Sequence, residues 1–136
     1  TMGRKAVNPG KMYDAVQYGF SHAVESTGTR LLHLAGQVAW DDHGRLVGGG
    51  DLGAQCAQVF RNLKKVLGEC GMGPQNVVRL RTYVVDYSPD KLAIIGTAIG
   101  EFYGDVVPAA NTLLGVQALA MPDFLIEVEA TAVADI

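Results

Sequence analysis

The chain has 136 residues, a formal net charge of −3, 49% hydrophobic and 18% charged residues, and 17 glycines. That length suits one domain with a modest core, and recurring aliphatic residues exclude intrinsic disorder. The acidic balance removes the electrostatic basis for broad nucleic-acid binding, and no window approaches the ~20 apolar residues of a membrane-spanning helix.

Residues 1–15 are mixed and rich in turn formers, with Asn8-Pro9-Gly10 among them, and predict no defined element. Residues 16–24 read as a strand, followed by a turn at Ser26-Thr27-Gly28-Thr29. Residues 31–39 read as a second strand. Strict alternation puts Leu32, Leu34, Gly36 and Val38 on one face, and His33, Ala35 and Gln37 on the other. The pair reads as a hairpin. A small extra strand is expected at residues 45–47. Gly48-Gly49-Gly50 then reads as a flexible run before Asp51, a good N-cap. Leu52, Cys56, Val59, Phe60, Leu63, Val66 and Leu67 recur at helical spacing and predict an amphipathic helix ending near Glu69. Gln55, Gln58 and Asn62 fall among its polar remainder. Residues 77–85 read as a strong strand, with Val78, Leu80, Thr82 and Val84 on one face and Arg79, Arg81, Tyr83 and Val85 on the other. Ser88-Pro89 marks the start of a second helix with the stripe Leu92, Ile95, Ile99 and Phe102, ending at Tyr103-Gly104. Residues 112–120 and 124–133 are the last two strands. The order is β-β-α-β-α-β-β. Two helices cover only one face of such a sheet. The other face is too apolar for full exposure, so burial in an oligomer is the expectation.

Chemistry has few places to sit. Cys56 and Cys70 lie about 21 Å apart along a helix at 1.5 Å per residue, too far for a disulfide. Reduced thiols fit a cytoplasmic setting, and no apolar leader follows Met2. His22, His33 and His43 lack metal-ligand spacing, and no metal site is expected. The informative pattern is Glu127 and Glu129 on one side of the final strand, with Arg79 and Arg81 on one side of theirs. These charges are either cross-strand ion pairs or a small anion-binding cleft with a carboxyl acid/base. The unassigned register leaves both readings open.

Several segments resemble the Rid family, also called YjgF/YER057c/UK114 and known as endoribonuclease L-PSP-like. They are residues 34–37, 44–55, 62–67 and 77–86, Glu101-Phe102-Tyr103-Gly104, and Ile126-Glu127-Val128-Glu129-Ala130. The resemblance runs from about Phe20 to the C-terminus. It implies an α+β, chorismate-mutase-like fold in one domain, 1–136, with a mixed sheet, two helices on one face, and a homotrimer with ligand clefts between subunits. It further implies hydrolysis of a small enamine or imine to a carbonyl compound and ammonia, with a small carboxylate-bearing or imine ligand and no cofactor.

By the same resemblance, Glu127 matches the glutamate that orients or activates water, and Gly36 matches the backbone beside the ligand. The family's substrate-holding arginine falls on Asn111. Its serine falls on Ala35, its N-terminal tyrosine on Phe20, and its second-helix asparagine near Gly96. Backbone near Val116 is expected to help orient the substrate. Asn supplies no charge and no bidentate fork. Arg79, Arg81 or Arg30 are candidate replacements for the missing charge. Two functions are carried forward: an atypical deaminase, and a non-catalytic ligand-binding or regulatory trimer. Membrane and nucleic-acid partners are not expected.

Overall fold

The structure is a computed structural model and describes residues 3–135. Residues 1 and 2, at the start of the segment expected to be irregular, and residue 136 lie outside the described residues. Eight principal elements succeed one another: β1 (Gly3–Val7), β2 (Ala23–Thr27), β3 (Arg30–Gln37), α1 (Leu52–Glu69), β4 (Val77–Val85), α2 (Leu92–Tyr103), β5 (Ala110–Val116) and β6 (Ile126–Ala134).

Most of the core is made by the expected periodicities, although Val66 of α1 and Leu92 of α2, expected in the apolar stripes, are exposed. Cys56, Val59, Phe60, Leu63 and Leu67 of α1 are buried, as are Ile95, Ile99 and Phe102 of α2. Their sheet counterparts are Leu34, Leu80, Val84, Ile126 and Val128. Phe60 and Phe102 join the two helices with ring centroids 5.0 Å apart. Burial pushes the Cys56 thiol up to about 11, so it behaves as a packing group rather than a nucleophile.

The main sheet has the order β3-β6-β4-β5. β6 runs antiparallel to both neighbours, and β4 and β5 are parallel, joined through α2. Such a parallel pair needs a crossover connection, and the helix provides it. Both helices therefore lie over one face, giving the α+β arrangement expected.

Four expectations are corrected. The N-terminal stretch is ordered: Gly3–Val7 pairs antiparallel with Ala23–Thr27. That ribbon crosses the end of the main sheet, where Arg4 donates to the carbonyl of Val77 at 2.8 Å and Gly28 lies against Val133. Residues 16–24 are not one strand. The Asp14 carboxylate accepts from the backbone N–H of Val16, and Gly19 takes a left-handed φ of 86°, so Val16–Tyr18 closes into a short turn. The hairpin between the second and third strands is also absent. β2 is paired with β1, and β3 with β6. Residues 45–47 contribute a single bridge, Trp40 to Leu46, rather than a strand.

Polar side chains of α1 explain the loops. Gln55 is fully buried. Its amide nitrogen donates to the carbonyls of Gly49 at 2.6 Å and Asp123 at 3.0 Å, and its oxygen accepts from the backbone N–H of Leu125 at 2.9 Å. The glycine run is thereby pinned as a turn rather than a flexible approach. The same residue holds the chain as it enters β6, while β5 stops at Val116, short of residue 120. Asn62 likewise donates to the carbonyls of Val38 and Trp40. These residues fasten loops instead of facing water. Asp51 caps α1 as expected, accepting from Ala54 at 3.3 Å. α2 begins at Leu92, because Pro89–Lys91 forms a separate short turn and the Ser88 hydroxyl donates to the Asp90 carboxylate.

Candidate functional site

Register decides which candidates can meet. Asn111 lies beside the buried Leu80, and Leu113 beside Thr82. Asn111 is therefore on the helix-covered side of the sheet. Glu127 lies beside Tyr83, and Glu129 beside Arg81. Side chains alternate across a strand, so these four share the uncovered side. The expected site residues thus divide into two groups, on opposite faces of the same sheet.

On the uncovered face, β3 contains an irregularity between Leu34 and Gln37. A bulge of this kind inserts an extra residue and re-aims the side chains beyond it. Strict alternation would put Gly36 with Leu34, under the helices. Instead, a Cβ added to Gly36 would sit 2.0 Å from Oε2 of Glu127. Only a glycine leaves room there for the carboxylate. Burial first, and the neighbouring charge of Glu129 second, raise the Glu127 carboxyl above its ordinary range. No hydrogen-bond donor among the described residues reaches it. Glu129 is committed differently: the Tyr83 hydroxyl donates to it, and that bond is the main cause of the raised Tyr83 phenol. Sequence reasoning missed Tyr83 as the hydrogen-bond donor to Glu129, although its place on the Arg79–Arg81 face was visible.

Arg79, Arg81, Glu129 and Thr131 border a concavity of about 220 Å³ beside this group. Both arginines are on the face of Glu127, not that of Asn111, so within one subunit neither takes over the clamp position directly. Arg30 is excluded from the site. Its guanidinium donates to the carbonyl of Cys70 at 3.0 Å, at the end of α1.

On the helix-covered side, Phe20, Gly96 and Asn111 come together in a cavity of about 450 Å³ between the β1–β2 connection, α2 and β5. Tyr13 and Tyr18 line it as well, with their ring centroids 6.4 Å apart. Tyr13 also meets Phe20 edge-on at 6.4 Å and His22 at 4.7 Å. Two tyrosines thus stand beside Phe20, where the resemblance expects one. Their signal, aromatics at 13, 18 and 20, lies in a stretch that periodicity reads as irregular or strand. The Asn111 amide oxygen accepts from the fully buried Thr82 hydroxyl at 3.1 Å, which turns its NH2 group into the remaining polar handle.

Ala35 adjoins Gly36 at the bulge, where its carbonyl accepts from the Gln37 amide at 3.2 Å. Val116 pairs with Val85, five residues beyond Asn111 and on the other face. It joins neither group. Among the described residues no cluster of three or more His, Cys, Asp or Glu side chains could hold a metal ion, and no helix is long and apolar enough to cross a membrane.

Comparison with known proteins agrees with this architecture. A protein of unknown function in the conserved Rid family, YyfB of Yersinia pestis, superposes with a TM-score of 0.94 and 58% identity, covering 96% of this chain and 98% of that one. Protein DfrA of Myxococcus xanthus is 30% identical over 133 residues, covering 97% of both chains. A RutC family protein of Synechocystis is 30% identical over 115 residues, 84% of this chain and 85% of the relative. The family model described as Endoribonuclease L-PSP matches residues 12–134. With its fold, its sequence and its structural likenesses in agreement, the chain belongs to the Rid family.

Proposed function

We propose that this protein is a hydrolytic deaminase of a small enamine or imine, working at clefts between the subunits of a homotrimer. The observation that carries the reading is the Glu127 carboxyl, wedged against Gly36, with its proton affinity raised by burial. A carboxyl whose charged form is disfavoured by burial holds a proton more readily than a free carboxyl, as an acid/base group requires. The separation of Glu127 from Asn111 across the sheet supports a shared cleft. A ligand touching both groups needs the carboxylate of one subunit and the aromatic cavity of another, as a closed symmetric ring allows.

The chemistry balances with water alone. An enamine first tautomerises to its imine by protonation at carbon. Glu127 takes one proton from water as the oxygen attacks the C=N carbon and hands it to the nitrogen, giving a neutral carbinolamine. Glu127 then takes the hydroxyl proton as the C=O bond forms and passes it to the nitrogen as the C–N bond breaks. Ammonia leaves, and Glu127 is again ionised. Asn111 and the backbone at Gly36 orient the ligand. No resident cofactor enters these steps.

The test is ammonia release from freshly generated imines by the full chain and by Glu127→Gln. Release by the parent that the variant loses supports the reading. Equal rates overturn it. One observation favours the second reading, a ligand-binding trimer without turnover: Asn111 stands where the family places arginine. Saturable ligand binding with no ammonia release from any imine offered would select it. The net charge of −3 gives a ribonuclease role no electrostatic support.

A further inference from the structure

We propose that the cavity at Asn111 selects neutral, planar, apolar ligands and rejects carboxylates. This deepens the hydrolase reading, on which it rests, by naming its substrate class: imines or enamines carrying an amide, ester or ketone in place of a carboxylate.

The lining carries the argument. Tyr13, Tyr18, Phe20, Ile99 and Leu113 form an apolar, aromatic wall, and no Asp, Glu, Lys, Arg or His among the described residues lines the cavity. The hydrogen-bonding side chains of the lining, Asn111, Thr112, Tyr13 and Tyr18, are all neutral, and Thr82 holds the Asn111 oxygen. What remains on Asn111 is an NH2 donor, suited to a carbonyl oxygen. A carboxylate placed here loses water and gains only neutral hydrogen bonds. Desolvating an ion without a paired charge is strongly unfavourable. Aromatic faces are electronegative, so they add repulsion rather than compensation. A neutral amide or ketone avoids both costs and still satisfies the Asn111 donor. The volume of about 450 Å³ accommodates a ring-sized group. Within one subunit Arg79 and Arg81 do not alter this balance, because they lie on the other face of the sheet; phenylacetate binding as tight as the amide is the result expected if a neighbouring subunit's arginines reach the cavity.

Two matched probes test the selection, phenylacetamide and phenylacetate, titrated into the full-length protein by calorimetry with NMR mapping of the aromatic resonances. The expected result is binding of the amide at least ~10-fold tighter than the carboxylate, a difference of about 1.4 kcal/mol. Asn111→Arg should move the preference toward phenylacetate. Gly96→Phe should abolish amide binding, since Gly96 lines the cavity and a Cβ there meets nothing within 4 Å, which leaves room for a ring at its wall. Phenylacetate binding as tight as the amide in the unaltered chain overturns the proposal. So does amide binding that survives Gly96→Phe, or no amide binding up to about 10 mM. Ammonia release plays no part in the measurement. A failed hydrolase assay therefore leaves the ligand selection standing, and a carboxylate preference defeats it even where hydrolysis is found.

Discussion

The cavity around Asn111 and the carboxyl group around Glu127 belong to one sheet, yet they treat polar groups in opposite ways. Around Asn111, three aromatic rings and several aliphatic side chains surround one amide whose oxygen is already bonded. Around Glu127, four ionisable side chains crowd two strands, and one carboxyl is left without a donor among the described residues. The two groups are thus separated by the thickness of the sheet; the proposed function gives binding to one and proton transfer to the other. One half can diverge in ligand preference while the other keeps its carboxyl and the glycine that makes space for it.

The largest effect should come from removing the carboxyl. Glu127→Gln is expected to cut ammonia release about 10²–10⁴-fold, the range for loss of a positioned acid/base. The same variant should gain stability relative to the parent as pH rises. In the folded chain the Glu127 carboxyl is raised above its ordinary range by burial and then by Glu129. The folded state therefore holds this proton more tightly than the unfolded state. Stability falls as pH climbs from the ordinary carboxyl value through the raised one. Gln lacks that loss. Urea denaturation of both proteins across this window checks the sign, and a parent that gains on the variant would contradict it.

Next in size is the fastening behind the carboxylate face. Gln55→Leu breaks three buried hydrogen bonds and strands the carbonyls of Gly49 and Asp123 and the N–H of Leu125. A loss of about 3 kcal/mol in unfolding free energy is expected by denaturant titration. Gly36→Ala should act locally. Its Cβ needs the space of the Glu127 carboxylate, a movable side chain, so the carboxylate swings away. Turnover should fall about tenfold or more with little change in melting temperature, because misplacing a catalytic group by about 1 Å is costly. The smallest effect belongs to the cavity side. Gly96→Ala meets no neighbour within 4 Å and should stabilise α2 by about 0.5–1 kcal/mol.

Much of this comparison was legible in the sequence. Helical spacing in residues 52–69 and alternation in residues 79–85 place most of the core and the Arg79–Tyr83 face correctly, while an irregularity between Val77 and Arg79 buries Val77 in place of Val78. Glu127 and Glu129 fall on one side of β6 for the same reason. Periodicity failed where the backbone departs from it. The β3 bulge turns Gly36 toward Glu127, and no residue type in Leu34-Ala35-Gly36-Gln37 dictates that shift; pairing with β6 does. The aromatic cavity was missed because Tyr13, Tyr18 and Phe20 are gathered by a long connection. Its path depends on the β1–β2 ribbon, and strand pairing across Lys5 and Glu25 is a tertiary outcome with no local signature. Gln55 reads as an exposed helix residue until the chain entering β6 arrives beside it.

The central claim is that the cavity of one subunit and the carboxylate of another form one site. Mixing tests it most directly. Glu127→Gln disables one half, and Gly96→Phe plugs the other. Each variant alone should release little ammonia from a neutral imine. Unfolded together in equal amounts and refolded, they should recover about a quarter of the parent's activity, because that share of interfaces in a ring pairs two intact halves. Activity no greater than the average of the two separate variants would contradict a shared site.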